Sequence, residues 1–261
     1  MNATLQYTLH LADNALVLGQ RNAEWCGHGP VLEEDIALAN IGLDLIGQAR
    51  LLYQYAAAQI VDPPTTEDSL AYFRDPAEFR NYVLLELPHN TAFAPSASVE
   101  RDYAVTIARN FLYSSLMLLV WEQLQTSPNT QLAAIAAKSI KEVRYHLRHS
   151  TDWMLRLGDG TADSNQRLQA ALDHLMPYTQ EFWCASAMET AAHALGIAPD
   201  VAKLHPAWLN GVQNVVAHAT LTLPASNGYV THGKDGQHSE HLSYLLAEMQ
   251  GLARAHPQAT W

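Results

Sequence analysis

The stretch "IALANIGLDLIGQARLLYQYAAA" (residues 36–58) constrains the fold most. It is apolar on nearly every side, which for a helix implies burial in most directions. Yet Asn40, Asp44 and Gln48 recur through it at i, i+4 and i+8. Buried polar groups need partners, so this row is expected to face a second polar row across a helical bundle. Lys138, Glu142, Tyr145 and His146 are the candidates on another helix, and Gln20, Arg21 and Glu24 on the first helix can join them.

The rest of the chain repeats the helical signal. Apolar residues recur at spacings of three and four, and alternating β-branched runs are absent. The spacing predicts helices over about Leu5 to Cys26, Leu32 to Ile60, Asp102 to Thr126 and Thr130 to Leu157. Further helices follow over Asn165 to Leu195 (bent at Pro177), Val201 to Thr220 and residues 239–256. The paired prolines of "VDPPTTEDS" (61–69) end the second helix. An irregular segment carrying Pro76, Pro88 and Pro95 separates it from the third, with one short helix and a long excursion. Two antiparallel pairs of long helices followed by three more predict an all-α, four-helix bundle with additional C-terminal helices, as one domain over residues 1–261.

Composition narrows the function. The net charge of −11 argues against nucleic-acid and anionic-membrane partners, which select clustered Lys and Arg. Cys26 and Cys184 are too far apart for a zinc motif, and read as two reduced thiols. No secretory leader pattern and no run approaching 18 apolar residues is visible, so a cytoplasmic protein is expected. No P-loop, dinucleotide loop or nucleophile elbow is present.

Helical bundles can hold two iron ions with a Glu from each of two helices and Glu-x-x-His from each of the other two. "KSIKEVRYHLRHS" (138–150) invites that comparison, because Glu142 and His146 share a helix. The matching motifs read Asp44-x-x-Gly47 and Glu142-x-x-Tyr145, and each lacks the histidine. His146 stands one residue too far, about 100° around the helix. From Tyr103 to Trp121 the third helix has no Asp or Glu. Asp44, Gly47, Glu142 and Tyr145 therefore read as vestiges of a metal site. Asn40, Asp44, Gln48, Lys138, Glu142 and His146 read as a core polar network, in which Lys138 is expected to reach Asp44 or Glu142 and supply the compensating positive charge. "HSEHL" (238–242) is read as a helix start capped by Ser239, ahead of a metal cluster. The segment "FRDPAEFRN" (73–81) offers Arg74, Glu78, Phe79, Arg80 and Asn81 as a candidate contact with substrate or partner, against the plainer reading of a connector.

The blocks "AEWCGHGP", "ALANIGLDLIGQAR", "AAKSIKEVRYHLRHS…W…RLGDGT" and "EHLSYLLAEMQ…W" make the chain resemble one family from Tyr7 to Trp261. That family is the C subunit of the bacterial phenylacetyl-CoA ring 1,2-epoxidase complex. The resemblance implies a ferritin-like fold and a structural, non-catalytic role in phenylacetate degradation. It implies a catalytic ferritin-like partner that carries the di-iron site, a further small subunit, and a reductase that uses NADPH. No cofactor is expected on this chain. A stand-alone di-iron oxidase and an unrelated helical scaffold are the rival readings.

Overall fold

A computed structural model describes residues 2–91 and 101–259, which leaves Pro95 outside the described residues. Its ordered elements are helical throughout, apart from one isolated antiparallel bridge between His232 and Gln237. They run α1 Ala3–Ala23, α2 Leu32–Ala58, α3 Glu67–Tyr72, α4 Val83–Glu86, α5 Tyr103–Leu124 and α6 Thr130–Gly158. Then come α7 Ala162–Leu175, α8 Gln180–Trp183, α9 Ala187–Ala194, α10 Val201–His218 and α11 Glu240–Ala255.

Local chemistry sets these boundaries. The first backbone amides of a helix lack intrahelical acceptors, and a short polar side chain just before them supplies one. Asn2 does so for α1, Asp102 for α5 and Asn129 for α6, with bonds to Thr4 N (3.0 Å), Ala104 N (2.9 Å) and Leu132 N (3.0 Å). The single fifth helix expected from the sequence is broken into pieces. Pro177 opens a short 3₁₀ turn, Met176–Thr179, and Ser186 with Glu189 forms a capping box that starts α9 afresh. Ser239 does not cap α11 with its side chain.

The chain divides into two compact units. The first comprises the described residues through Leu87 and those from His232 onward; the second comprises the described residues between Pro88 and Thr231. In the first unit α1 and α2 pack along their lengths as a hairpin, with α3 and α4 against it and α11 against α3 and α4. Gly19 and Gly42 let the two long helices close up. A Cβ on Gly19 would stand 3.2 Å from Ile46 Cγ1 and 3.4 Å from the Gly42 carbonyl oxygen. In the second unit α5 and α6 form the equivalent hairpin, with α7 and α10 packed on it. Trp208 of α10 donates its indole N–H to the Leu112 carbonyl (3.1 Å), which satisfies the polar end of a buried aromatic side chain. The helix α5 is apolar and long enough to cross a membrane, but 83% of its apolar window is buried inside the protein, as a core helix would be. Two long helix hairpins in an all-α chain make this a ferritin-like fold.

One expectation about α2 needs correcting. Leu38, Ile41, Leu45, Ala49, Leu52 and Tyr53 are buried, but Leu32, Ile36, Leu43 and Ile46 face out of the chain. The all-round apolar character thus includes a face that is exposed among the described residues.

Candidate functional site

A densely bonded polar site in the first unit centres on Asp13, fully buried on α1. Arg74 reaches it through both terminal nitrogens, Nη1 to Oδ2 at 3.2 Å and Nη2 to Oδ1. The Tyr53 hydroxyl on α2 donates to Asp13 Oδ1 (2.6 Å), and the Arg80 amide donates to Oδ2 (2.8 Å). Arg74 further donates to the carbonyls of Leu70 (2.6 Å) and Glu78 (3.1 Å), and lies over the Phe79 ring at 4.2 Å. Burial works against the guanidinium charge, but Asp13, Tyr53 and Glu78 outweigh it and raise the Arg74 pKa above its ordinary value. Burial, reinforced by Asp13, raises the Tyr53 phenol well above its usual range, which keeps it a donor.

The irregular residues 73–81 are divided between inside and outside, with Phe73, Asp75, Ala77 and Glu78 exposed. Arg74, Phe79 and Asn81 are buried, Arg80 is half-buried, and of the five candidate contact residues Glu78 alone is exposed. The reason is backbone chemistry: a segment without helical hydrogen bonds must satisfy its amides and carbonyls with side chains. His10 donates to the Arg80 carbonyl (2.6 Å), and Asn14 Oδ1 accepts from the Tyr82 amide (2.8 Å).

A second network ties α4 to the C-terminal segment. Glu86 is fully buried. Its Oε2 accepts from Asn81 Nδ2 (2.9 Å) and His238 Nδ1 (2.8 Å), and its Oε1 accepts from the Ser239 amide (2.6 Å). His238 Nε2 also faces an acceptor, the Phe79 carbonyl at 3.0 Å. The carbonyl can only accept, so Nε2 donates to it, and the Nδ1 contact with Glu86 is an ion pair when the ring is protonated. Arg21 pairs with Glu24 at 2.7 Å and donates to the Glu86 carbonyl. "HSEHL" is thus neither a metal cluster nor a side-chain cap, but a clasp onto α4.

Nearby, burial chiefly, with Arg21 beside it, pushes the His241 pKa below its ordinary 6.5, against the pull of Glu240 and Glu86. Below about pH 6.5 the unfolded chain takes up a proton that the folded site resists, so this contribution to stability fades as pH falls. Urea midpoints measured between pH 7.5 and 5 are expected to decline less steeply in His241→Asn than in the parent chain.

The positions singled out in the sequence fare unequally. Asn40 and Lys138 are exposed, so neither belongs to a buried network, and Lys138 supplies no core charge. Gln48 and His146 are buried, Asp44 and Glu142 are half-buried, and Tyr145 is 38% exposed. Gly47 offers no donor atom, and the space where its side chain would begin is open. Among the described residues no three His, Cys, Asp or Glu side chains cluster to share an ion.

The cation buried in the second unit is instead Arg109, at the middle of α5 and fully enclosed. Its guanidinium can only donate, so the 3.1 Å contact with His89 makes Nδ1 of that ring an acceptor, and the Thr106 hydroxyl donates to the same atom at 2.7 Å.

A groove of about 660 Å³ opens between α2, α3 and α11, with Ile46, Arg50, Phe73 and Leu252 on its walls. In the second unit a cavity of about 450 Å³ lies between the end of α5 and the start of α10.

Two helix hairpins, each closed over a buried arginine, define a ferritin-like helical protein with a charged interior. The chain belongs to the phenylacetic acid catabolic protein family, which it matches over residues 1–261. It is 45% identical over 261 residues, the full length of both chains, to the C subunit of 1,2-phenylacetyl-CoA epoxidase from Escherichia coli (strain K12).

Proposed function

We propose that this chain is the structural C subunit of a phenylacetyl-CoA epoxidase, and that ring epoxidation takes place on a catalytic ferritin-like di-iron subunit paired with it. The complex works in the cytoplasm; a reductase subunit draws electrons from NADPH, a further small subunit belongs to the assembly, and this chain binds no cofactor. Full-length similarity to the C subunit of such an epoxidase supports the pairing.

The observation that carries the non-catalytic role is α5. From Tyr103 to Trp121 it has no carboxylate, and at its middle stands the buried guanidinium of Arg109. Two iron ions in a low-dielectric core need carboxylates to neutralise them, and a fixed cation there repels them. The role of this chain is then mechanical: a rigid, charge-balanced helical body against which the catalytic subunit is held.

Iron loading of the purified chain under anaerobic conditions tests the reading. Iron well below one ion per chain is expected, with no epoxidation of phenylacetyl-CoA when reductase, NADPH and dioxygen are added. About two ions per chain, as a di-iron bundle holds, or turnover by the chain alone, would overturn it.

A further inference from the structure

We infer that the exposed basic face of α6 is the landing site for the electron-donating reductase of the complex, which meets it with an acidic patch. This rests on the reading of the chain as an epoxidase subunit. The chain carries 26 Asp and Glu against 15 Lys and Arg, so an even spread of charge would leave acid in excess on every face. On α6 the balance is reversed. Lys138, Lys141, Arg144 and Arg148 follow one another closely and all four are exposed, while the one carboxylate between them, Glu142, is half-buried. At 100° and 1.5 Å per residue the four cations fall within an arc of about 120° and extend over roughly 15 Å of helix. Among the described residues Arg144 alone of the four has a carboxylate within ion-pair distance, Glu122 at 4.0 Å, and both of those side chains are open to solvent. Such a pair holds the guanidinium only weakly, so the charge of the stripe stays available.

An aromatic ring stands within the stripe. Tyr145 is exposed, with the Arg148 guanidinium 5.6 Å over its ring and the His149 ring 6.2 Å from it. Tyrosine and arginine are among the side chains that carry most of the binding energy of interfaces. Stacked in advance, they lose less freedom when a partner arrives. Tyr145 is also the one large apolar side chain of α6 that is exposed among the described residues.

These proportions select the partner. The buried centres of lasting interfaces are apolar and depleted in lysine. A single ring among four cations fits instead a small contact that forms fast and lets go, as electron-transfer proteins use. In the proposed complex the reductase is the component that must deliver electrons at every turnover and withdraw. A nucleic acid or an anionic membrane extends far beyond the stripe and would meet the acidic surplus of the rest of the chain. An acidic patch on a protein matches the stripe alone.

The test uses the full chain co-expressed with the catalytic and small subunits, with reductase titrated into NADPH and phenylacetyl-CoA. In the triple variant Lys141→Glu, Arg144→Glu, Arg148→Glu, KM for the reductase is expected to rise by roughly tenfold or more. Its kcat at saturating reductase, its elution volume and its thermal unfolding are expected to match the parent. The parent KM rises with ionic strength, and that dependence is lost in the variant. The triple change to Gln is expected to fall between. Arg167→Glu, at an exposed cation of α7 paired with Asp163, is the control and leaves KM unchanged. A parent-like KM in the Glu variant would overturn the landing site while the subunit reading stands. A Glu variant that sheds the catalytic or small subunit, or a parent that binds a DNA duplex through these residues at unchanged KM, would give the face to that partner instead. Absence of epoxidation by the parent complex with reductase would remove both readings.

Discussion

Asp13→Ala is expected to destabilise the protein by about 3–5 kcal/mol, the usual consequence of stripping one partner from a buried ion pair. The loss is large because Asp13 accepts from four donors: two nitrogens of Arg74, the Tyr53 hydroxyl and the Arg80 amide. Removing the carboxylate leaves a guanidinium enclosed by Phe79 and Tyr53 without its counter-charge. For a chain of this size the fall in Tm is roughly 10 °C. Asp13→Ala combined with Arg74→Met is expected to cost less than the two single changes summed, by about 1–3 kcal/mol, because residues in contact do not act independently. Strict additivity in that cycle, measured by urea unfolding, would show that the pair is not a stabilising unit.

Glu86→Ala is expected to release the C-terminal segment while the α1–α2 hairpin stays folded. The carboxylate holds Asn81, His238 and the Ser239 amide, and through them joins residues some 150 apart in sequence. Without it the His238 ring and a backbone amide are left buried without their partner, at about 2–4 kcal/mol. Because that loss falls on one segment, local opening exceeds global unfolding. Amide hydrogen exchange should speed up by about two orders of magnitude in α11 and much less in α2. Uniform acceleration over both helices would argue against a local clasp. Glu86→Gln keeps the shape but removes the charge, and is expected to fall between.

The two networks also show what the sequence makes legible and what it hides. Helices with a sustained 3.6-residue period are readable to within a few residues: Thr130 to Leu157 is observed as Thr130–Gly158, and Leu5 to Cys26 as Ala3–Ala23. Periodicity tells which way a side chain points but not what covers it. Asn40 and Lys138 lie on the expected helices but at the surface, whereas Gln48 and His146 are inside. The Asp13–Arg74 pair was out of reach because its halves are 61 residues apart and Arg74 lies outside any periodic element. A signal did exist in α1, where His10, Asp13 and Asn14 interrupt an apolar run at i, i+3 and i+4, just as Asn40 and Asp44 interrupt α2. The exposed face of α2 was hidden for a related reason: apolar character all round does not say which sides of a helix its own chain covers.

The division of the first unit between the two ends of the chain has a consequence for biosynthesis. Glu86 leaves the ribosome 152 residues before His238. At 5–20 residues per second its carboxylate waits roughly 10–30 s for its partner. Throughout that interval the second unit, whose described residues all lie between Pro88 and Thr231, can fold without waiting for anything downstream. Synthesis thus imposes an order, with the middle of the chain completed before the outer segments can close.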